Sequence, residues 1–208
     1  MADLTYFHCV NTRSTGGLIL LEELGASYRL RILDMAAGEQ RAPEYLAINP
    51  MGKVPALLDG DALVTEQTAI FPFLADRFPD AGLAPAVNDP LRGPWLRWFA
   101  LYGACVEPAV IDRFLKRDPA PVGMSPYGDA EQLFAIVDRQ LAAGPWLLGE
   151  RFLAVDVLWG TALGWLTNFG LVERTAAITA YLERFEARPV VQRVRAEEAA
   201  RAAASESA

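Results

Sequence analysis

The hydrophobic pattern changes once along this chain, near residue 80, and that change limits the fold more than any other feature of the sequence. Before it, short runs with the period of two typical of strands alternate with runs spaced for one face of a helix. After it, from Pro90 to about Glu198, apolar residues recur only with helical spacing. The pattern predicts a mixed α/β unit followed by an all-helical unit.

The first unit has clear start and stop signals. Asn11, Thr12 and Ser14 can each cap the first helix, and Gly25 ends it. Pro72 should bend the last helix. The predicted elements, in order, are a strand at 4–10, a helix up to 24, a strand at 27–33, a short helix near 43–47, a hairpin of 56–58 and 62–65, and a helix at 66–77.

The second part begins after a segment rich in proline, glycine and alanine, which is typical of a linker. We therefore predict a domain at 1–79, a linker at 80–89 and a helical domain at 90–208. The final residues, RAAASESA, are expected to fray. The predicted helices of this part lie near 91–115, 129–141, 156–166 and 177–188.

Composition excludes several classes of function. The net charge of -7 and the pI near 4.8 argue against a nucleic-acid or anionic-membrane surface. No apolar stretch approaches the roughly 18 residues of a membrane-spanning helix, and the N-terminus has no secretion-signal pattern, so we expect a cytoplasmic protein. Cys9 and Cys105 are too far apart for a zinc or CxxC motif. With His8 as the single histidine, a His-rich metal site is excluded and a Ser-His-Asp triad would have to use His8.

Four segments carry a resemblance that covers essentially the whole chain. They are the Ser/Thr-rich stretch before LILLEELG, then NPMGKVPALL, VTEQTAIFPFLADRFP and PWLLGERFLAVDVLWGTAL. In this order and spacing the sequence resembles the cytosolic glutathione transferase family. The resemblance implies a thioredoxin-like N-terminal domain, an all-α C-terminal domain, glutathione as co-substrate, no metal, and a cytoplasmic homodimer active in detoxification.

The resemblance also implies where glutathione binds. In the family, a cis peptide bond before the proline at position 55 turns the backbone of Val54 outward, where it would pair with the cysteinyl part of glutathione. Glu66 and Gln67 open the next helix and would hold the γ-glutamyl end, because a helix N-terminus favours an anion. Gln67 stands where the family usually has serine.

Two cations are further candidates for this site. By resemblance, Lys53 would attract the glycyl carboxylate, and Arg13 could also assist an anion. Each residue proposed for the glutathione site also has an ordinary structural interpretation. Val54 and Pro55 can form a trans bond at a strand start, and Glu66 can complement the helix dipole. Lys53 and Arg13 can be exposed loop residues.

The resemblance also implies that the residue that activates the thiol lies near the start of the first helix. Thr12 is our first choice, because a hydroxyl beside a helix N-terminus can stabilise a thiolate, and Asn11 and Ser14 are the alternatives. All three can instead be helix caps. Cys9 could act as a nucleophile, since some relatives use a cysteine near this helix, but a buried inert cysteine is the better interpretation.

The helical unit should supply the second-substrate side. We assign Phe99, Tyr102 and Arg113 to it as a hypothesis, although aromatic residues at such spacing are more often core. Leu153 occupies a position where the family commonly has a capping threonine or serine before Asp156. From the sequence alone, Leu153→Thr is therefore expected to raise the melting temperature.

The function predicted from the sequence is a glutathione transferase that adds the thiolate to a small electrophile. One alternative is a glutathione-dependent isomerase or disulfide reductase on the same fold. The other is a non-catalytic binding protein, which the unusual residues Gln67 and Leu153 permit.

Overall fold

The protein is described by a computed structural model covering residues 4–118 and 120–206. Contacts divide the chain into two compact units. The first comprises the described residues up to Ala81 together with those from Arg188 onward, and the second runs from Gly82 to Ala187. We describe each unit by itself.

The first unit is built on a mixed four-stranded sheet with the order β2-β1-β3-β4. Strand β1 is parallel to β2 and antiparallel to β3, and β3 and β4 form the predicted hairpin. This arrangement confirms the thioredoxin-like α/β class. Its elements are β1 (Leu4–His8), α1 (Thr15–Glu23), β2 (Arg29–Ile32), α2 (Pro43–Leu46), β3 (Ala56–Asp59), β4 (Ala62–Thr65), α3 (Gln67–Arg77) and α9 (Pro189–Glu206).

The strands are shorter than predicted, and β2 differs in its burial. Period two predicts a buried Ile32, but its side chain is 47% exposed because β2 is an edge strand. Helix α3 runs through Pro72 as one helix. Gly17 allows α1 to lie directly on β1, since a Cβ at this position would come within 2.0 Å of Tyr6 Oη.

The second unit is helical, as predicted. Its described residues contain no strand beyond an isolated bridge between Trp146 and Gly149. A π-helical turn at Tyr102–Val106 joins α4 to α5 without a break, so the predicted long helix is present with a local change of hydrogen bonding. The helices are α4 (Arg92–Leu101), α5 (Glu107–Phe114), α6 (Ala130–Ala142), α7 (Ala154–Asn168) and α8 (Ala176–Glu186).

Helix α9 was not expected as a separate helix, and by its contacts it belongs to the first unit, whereas the sequence pattern grouped residues 90–208 together. Arg188 makes two hydrogen bonds of 2.7 Å to the carboxylate of Glu23 on α1. Val191 and Val194, which lie on α9, are buried. The expected fraying of RAAASESA is not seen up to Glu206, and residues 207–208 lie outside the described residues.

Candidate functional site

The register of the strands brings three segments to one end of the sheet in the first unit. Phe7 near the end of β1 pairs with Ala56 at the start of β3, and Ala56 pairs with Thr65 at the end of β4. Three segments therefore meet at the same end of the sheet: the loop after β1, the segment before β3 and the start of α3. These are the three segments that the sequence analysis selected for glutathione.

The segment before β3 presents an open backbone. The Val54–Pro55 peptide bond is cis, as predicted. The Tyr45 hydroxyl and the Asn49 amide donate to the Lys53 C=O at 2.6 and 2.8 Å, which anchors the segment. Among the described residues, neither the N–H nor the C=O of Val54 has a hydrogen-bond partner. An extended peptide could pair with both groups, as in strand addition.

The start of α3 presents a second set of open groups. Glu66 is its N-cap, with φ 64° in the left-handed region and an exposed side chain that makes no capping bond. The Glu66 C=O accepts from Ala69 and Ile70 at 2.9 Å. Within the described part of the chain, the N–H groups of Gln67 and Thr68 have no partner. Two free amides at the positive end of a helix are suited to a carboxylate.

The two candidate cations are both exposed loop residues. Lys53 precedes the cis bond directly, and no carboxylate of the described residues pairs with its ammonium group. Arg13 lies in the loop after β1, where it has interactions of its own. Their positions permit the predicted roles without testing them.

The loop after β1 separates the three candidate activating residues. Asn11 is exposed, with φ 57°. Ser14 is completely buried, so it cannot touch a substrate. Thr12 is half-buried, and its Oγ1 lies 2.7 Å from the Cys9 C=O and 2.6 Å from Ser14 Oγ. Only Thr12 combines access with a fixed hydroxyl.

The expected capping role of these side chains is wrong for α1. Ser14 is the N-cap residue, but its side chain makes no capping hydrogen bond. It points back toward β1 instead, where Ser14 Oγ meets the Cys9 N–H at 3.1 Å and His8 Nδ1 at 2.8 Å. The Ser14 N–H donates to Thr12 Oγ1 at 3.3 Å, before the helix begins.

Sequence reasoning missed the buried side chains behind this loop. His8 Nε2 lies 3.0 Å from Glu198 Oε1 on α9, and both side chains are buried. Glu198 also accepts from Thr15 at 2.9 Å and from Arg201 at 3.1 Å. Because the chain has a single histidine, its presence could have drawn attention to His8. The sequence around Glu198 gave no indication that this residue pairs with His8.

The charges of this buried group follow from its contacts. Burial raises the pKa of Glu198, but the hydrogen bonds and charge of His8, with the bonds from Thr15 and Arg201, outweigh burial and lower it below its ordinary value. Glu198 is therefore ionised at neutral pH. Burial raises the pKa of the half-buried Cys9 thiol, so Cys9 is not a ready thiolate, in line with the inert interpretation.

The residues assigned to the second substrate lie in the helical unit. Phe99 is 2% and Tyr102 5% exposed. Phe99 packs edge-on against Trp95, and Tyr102 donates to Glu107. Arg113 donates to the Leu171 C=O and pairs with Glu131. These contacts are those of core and surface structure, so the second-substrate role of all three stays a prediction that the contacts do not support.

The described residues contain no group of three or more His, Cys, Asp or Glu side chains placed to hold a metal ion. No helix among them has the length and apolar character needed to cross a membrane.

The chain is similar to known proteins in sequence and in fold. The family model "Glutathione S-transferase, N-terminal domain" matches residues 2–76. The glutathione S-transferase GstA of Escherichia coli O157:H7 is 30% identical over 177 residues, which is 84% of this chain and 88% of that protein. The disulfide-bond oxidoreductase YfcG of Escherichia coli K12 is 27% identical, over 82% of this chain and 84% of that protein. A solved glutathione transferase homologue from Sulfitobacter with bound glutathione has a TM-score of 0.75 and 29% identity, covering 95% of this chain and 99% of that one. The chain therefore belongs to the glutathione S-transferase family.

Proposed function

We propose that the protein binds glutathione at this end of the sheet and adds its thiolate to a small electrophile. The observation that carries the proposal is the backbone of Val54, whose N–H and C=O have no partner within the described residues. Unpaired backbone groups next to a buried sheet are costly unless something binds them, and a peptide supplies a matching donor and acceptor.

The other parts of glutathione find matching charges nearby. The free amides at the start of α3 donate to the γ-glutamyl carboxylate, and the exposed Glu66 carboxylate attracts the ammonium group. Gln67 donates through its side-chain amide in place of the usual serine hydroxyl. Lys53 and Arg13 provide positive charge for the glycyl carboxylate.

Thr12 activates the thiol by donating a hydrogen bond to the thiolate. A free thiol with a pKa near 8.5 is only about 3% ionised at pH 7, and lowering that pKa by ~2 units corresponds to ~2.7 kcal/mol. A charge-assisted hydrogen bond of about 1.5–3 kcal/mol together with a helix end is sufficient. The protein thus needs no general acid beside the electrophile.

Further properties of the proposal come from the family. We propose a cytoplasmic homodimer that takes part in detoxification, with Phe99, Tyr102 and Arg113 on the second-substrate side. Sedimentation velocity tests the dimer. A monomer at micromolar concentration would contradict it without affecting glutathione binding by the first unit.

Calorimetric titration with reduced glutathione tests the binding site. We expect submillimolar binding that Glu66→Ala weakens about tenfold, because the charge pair between the Glu66 carboxylate and the γ-glutamyl ammonium group is lost. Glu44→Ala is the matched control, since Glu44 is also an exposed acidic residue in the first turn of a helix. No heat of binding at millimolar glutathione would remove the proposal and leave the fold intact.

Assays of reaction class test the chemistry. Conjugation of aryl halides that Thr12→Ala reduces at least tenfold, with unchanged glutathione affinity, is the expected result. The relative YfcG is named a disulfide-bond oxidoreductase, so reduction of glutathionyl disulfides is the second candidate, and isomerisation of maleyl-type double bonds is another. Activity on either of these without aryl-halide conjugation would select that reaction. Glutathione binding with no turnover would select the non-catalytic alternative.

A further inference from the structure

We infer that His8 is the acceptor of the glutathione thiol proton, which reaches it through the hydroxyl groups of Thr12 and Ser14. This inference rests on the proposed function, since it assumes that the thiol binds at Thr12. It adds a proton path and two buried residues, His8 and Glu198, to that site.

The path is continuous in the structure. Thr12 Oγ1 lies 2.6 Å from Ser14 Oγ, and Ser14 Oγ lies 2.8 Å from His8 Nδ1. The opposite ring nitrogen, Nε2, is 3.0 Å from the Glu198 carboxylate. Every step is within hydrogen-bond distance. Glu198 fixes the ring orientation and stabilises an imidazolium, so it acts as a positioning residue.

A count of the available protons gives the path its direction. In neutral His8, the ring proton is on Nε2 toward Glu198, and Nδ1 accepts from the Ser14 hydroxyl. The Thr12 hydroxyl then donates to Ser14 Oγ at 2.6 Å. Both hydroxyl protons are used inside the protein, so Thr12 has none to offer to a thiolate.

One additional proton on His8 changes this pattern. The Nδ1–H of the imidazolium donates to Ser14 Oγ, and the Ser14 hydroxyl donates to Thr12 Oγ1 at 2.6 Å. The Thr12 hydroxyl is then free to donate outward. Protonation of His8 and donation from Thr12 to a bound thiolate are therefore coupled.

The step balances with the thiol as the proton source. The S–H bond breaks as an O–H bond forms at Thr12 Oγ1, and the electron pair stays on sulfur. The previous Thr12 proton moves to Ser14 Oγ, and the previous Ser14 proton moves to His8 Nδ1. The new Thr12 hydroxyl then donates to the thiolate, and after the thioether has formed the proton returns to solvent by the reverse path.

Burial leaves Thr12 as the exit of this path. The side chains of His8 and Ser14 have no exposed surface, whereas Thr12 is half-buried. A helix cap would not need a buried histidine and a buried carboxylate behind it. An ionised group held away from water usually accepts hydrogen bonds, and Glu198 has His8, Thr15 and Arg201 as partners.

Groups from α9, α1, β2 and its own strand face His8. From α9 it faces Glu198, with Arg201 bound to the same carboxylate oxygen. From α1 it faces hydroxyl groups, and β2 places the apolar Ile32 beside it. On its own strand, Tyr6 is neutral, because burial raises its pKa well above the ordinary value. The Cys9 thiol follows in the chain and is also neutral, because burial raises its pKa.

Nitrogen NMR of the imidazole ring tests the inference directly. The chain has one histidine, so a protein with isotope-labelled histidine and no added tag reports on His8 alone. At slightly alkaline pH we expect a neutral ring that becomes an imidazolium when glutathione is added, in step with the ultraviolet absorbance of the thiolate. S-methylglutathione, which has no thiol proton, should leave the ring neutral.

Two variants separate the proton path from a merely structural role. Ser14→Ala removes the middle of the path, so we expect kcat at neutral pH to fall about 10²-fold with unchanged KM for glutathione and recovery at alkaline pH. Thr15→Val is the matched control, since it also removes a buried hydrogen bond to Glu198 but lies off the path. It should stay within about twofold of the wild type, in the range of ordinary hydrogen-bond rearrangement.

Several results would overturn the inference. One is thiolate absorbance with a ring that stays neutral, and another is a ring that is already charged in the free protein at slightly alkaline pH. Equal losses of kcat in Thr15→Val and Ser14→Ala would show a structural network only. If Ser14→Ala does not fold, the wild-type NMR titration still decides. Absence of glutathione binding in calorimetry overturns the proposed function itself, whereas binding with a neutral ring removes only the proton path.

Discussion

At the scale of single residues, the neighbours of a side chain decide its chemistry. Thr12 and Ser14 are equivalent in the sequence, because both are small hydroxyl residues before a helix. In the structure Ser14 is buried against His8, and Thr12 keeps partial access. A hydroxyl that is enclosed can relay a proton but cannot meet a substrate, so only Thr12 remains a candidate for contact with the thiol.

The structure reverses the sequence-based prediction that Leu153→Thr raises the melting temperature. Leu153 is fully buried, and the Asp156 N–H that a new hydroxyl would cap already donates to the Leu153 C=O at 2.8 Å. Asp156 supplies the reciprocal bond to the Leu153 N–H at 2.9 Å. We therefore expect Leu153→Thr to lower the free energy of unfolding by about 1–3 kcal/mol, because apolar volume is lost and little capping is gained.

Urea denaturation of Leu153→Thr beside Leu153→Val checks this expectation. The two variants have the same shape, so their difference isolates the hydroxyl group. Valine should be the more stable, since the buried threonine hydroxyl has no free partner to bond. A threonine variant more stable than the wild type would restore the capping interpretation.

At the scale of elements, the sequence signals that correctly predicted the structure were local. The hairpin turn and the helix starts depend on residues that are close in sequence, whereas the cis bond at Val54–Pro55 was expected only from the family resemblance. Helix α9 was missed because its apolar residues are few, and its attachment to α1 uses ion pairs, such as Arg193 with Glu22 at 2.7 Å, that no periodicity indicates.

Helix α9 gives a pH prediction through Glu198. The pKa of this carboxyl is lowered in the folded state, so its contribution to stability is complete above the unfolded value of about 4.3 and is lost as pH falls through the folded value. Glu198→Gln should lower the free energy of unfolding by about 1–3 kcal/mol at neutral pH, because charged hydrogen bonds from His8, Thr15 and Arg201 are weakened. The difference from the wild type should shrink below about pH 4.

Urea denaturation across the acid range provides the measurement. Glu197→Gln is the control, since Glu197 lies on the same helix but is exposed and forms only i,i+4 ion pairs. It should change stability by a few tenths of a kcal/mol at every pH. A constant difference between Glu198→Gln and the wild type from neutral to acid pH would refute the linkage.

At the scale of the whole molecule, the order of the chain differs from its division into compact units. The first unit is completed by the last helix, across the whole helical unit in sequence. The His8–Glu198 pair joins residues 190 positions apart. Folding of the first unit therefore depends on residues at the far end of the chain.

Removal of residues 188–208 tests this dependence. The loss of buried Val191 and Val194 and of the partners of His8 should lower the melting midpoint in far-ultraviolet circular dichroism by about 10 °C or more. All five tryptophans lie between Trp95 and Trp165, so their fluorescence follows the second unit alone. A chain ending at Ala203 keeps Val191, Val194 and Glu198 and should melt like the full chain. An unchanged midpoint without residues 188–208 would contradict the assignment of α9 to the first unit.

The sequence by itself determined the two structural classes, the order of most elements, and the segments that meet at the candidate site. The classes and the order of the elements follow from hydrophobic period and turn chemistry, which act over a few residues, whereas the segments of the candidate site were indicated by the resemblance to the glutathione transferase family. Only the tertiary structure decided which hydroxyl is exposed, that Leu153 is enclosed, and that Glu198 stands behind His8. Burial and long-range pairing depend on distances between segments far apart in the chain, and local sequence patterns do not contain those distances.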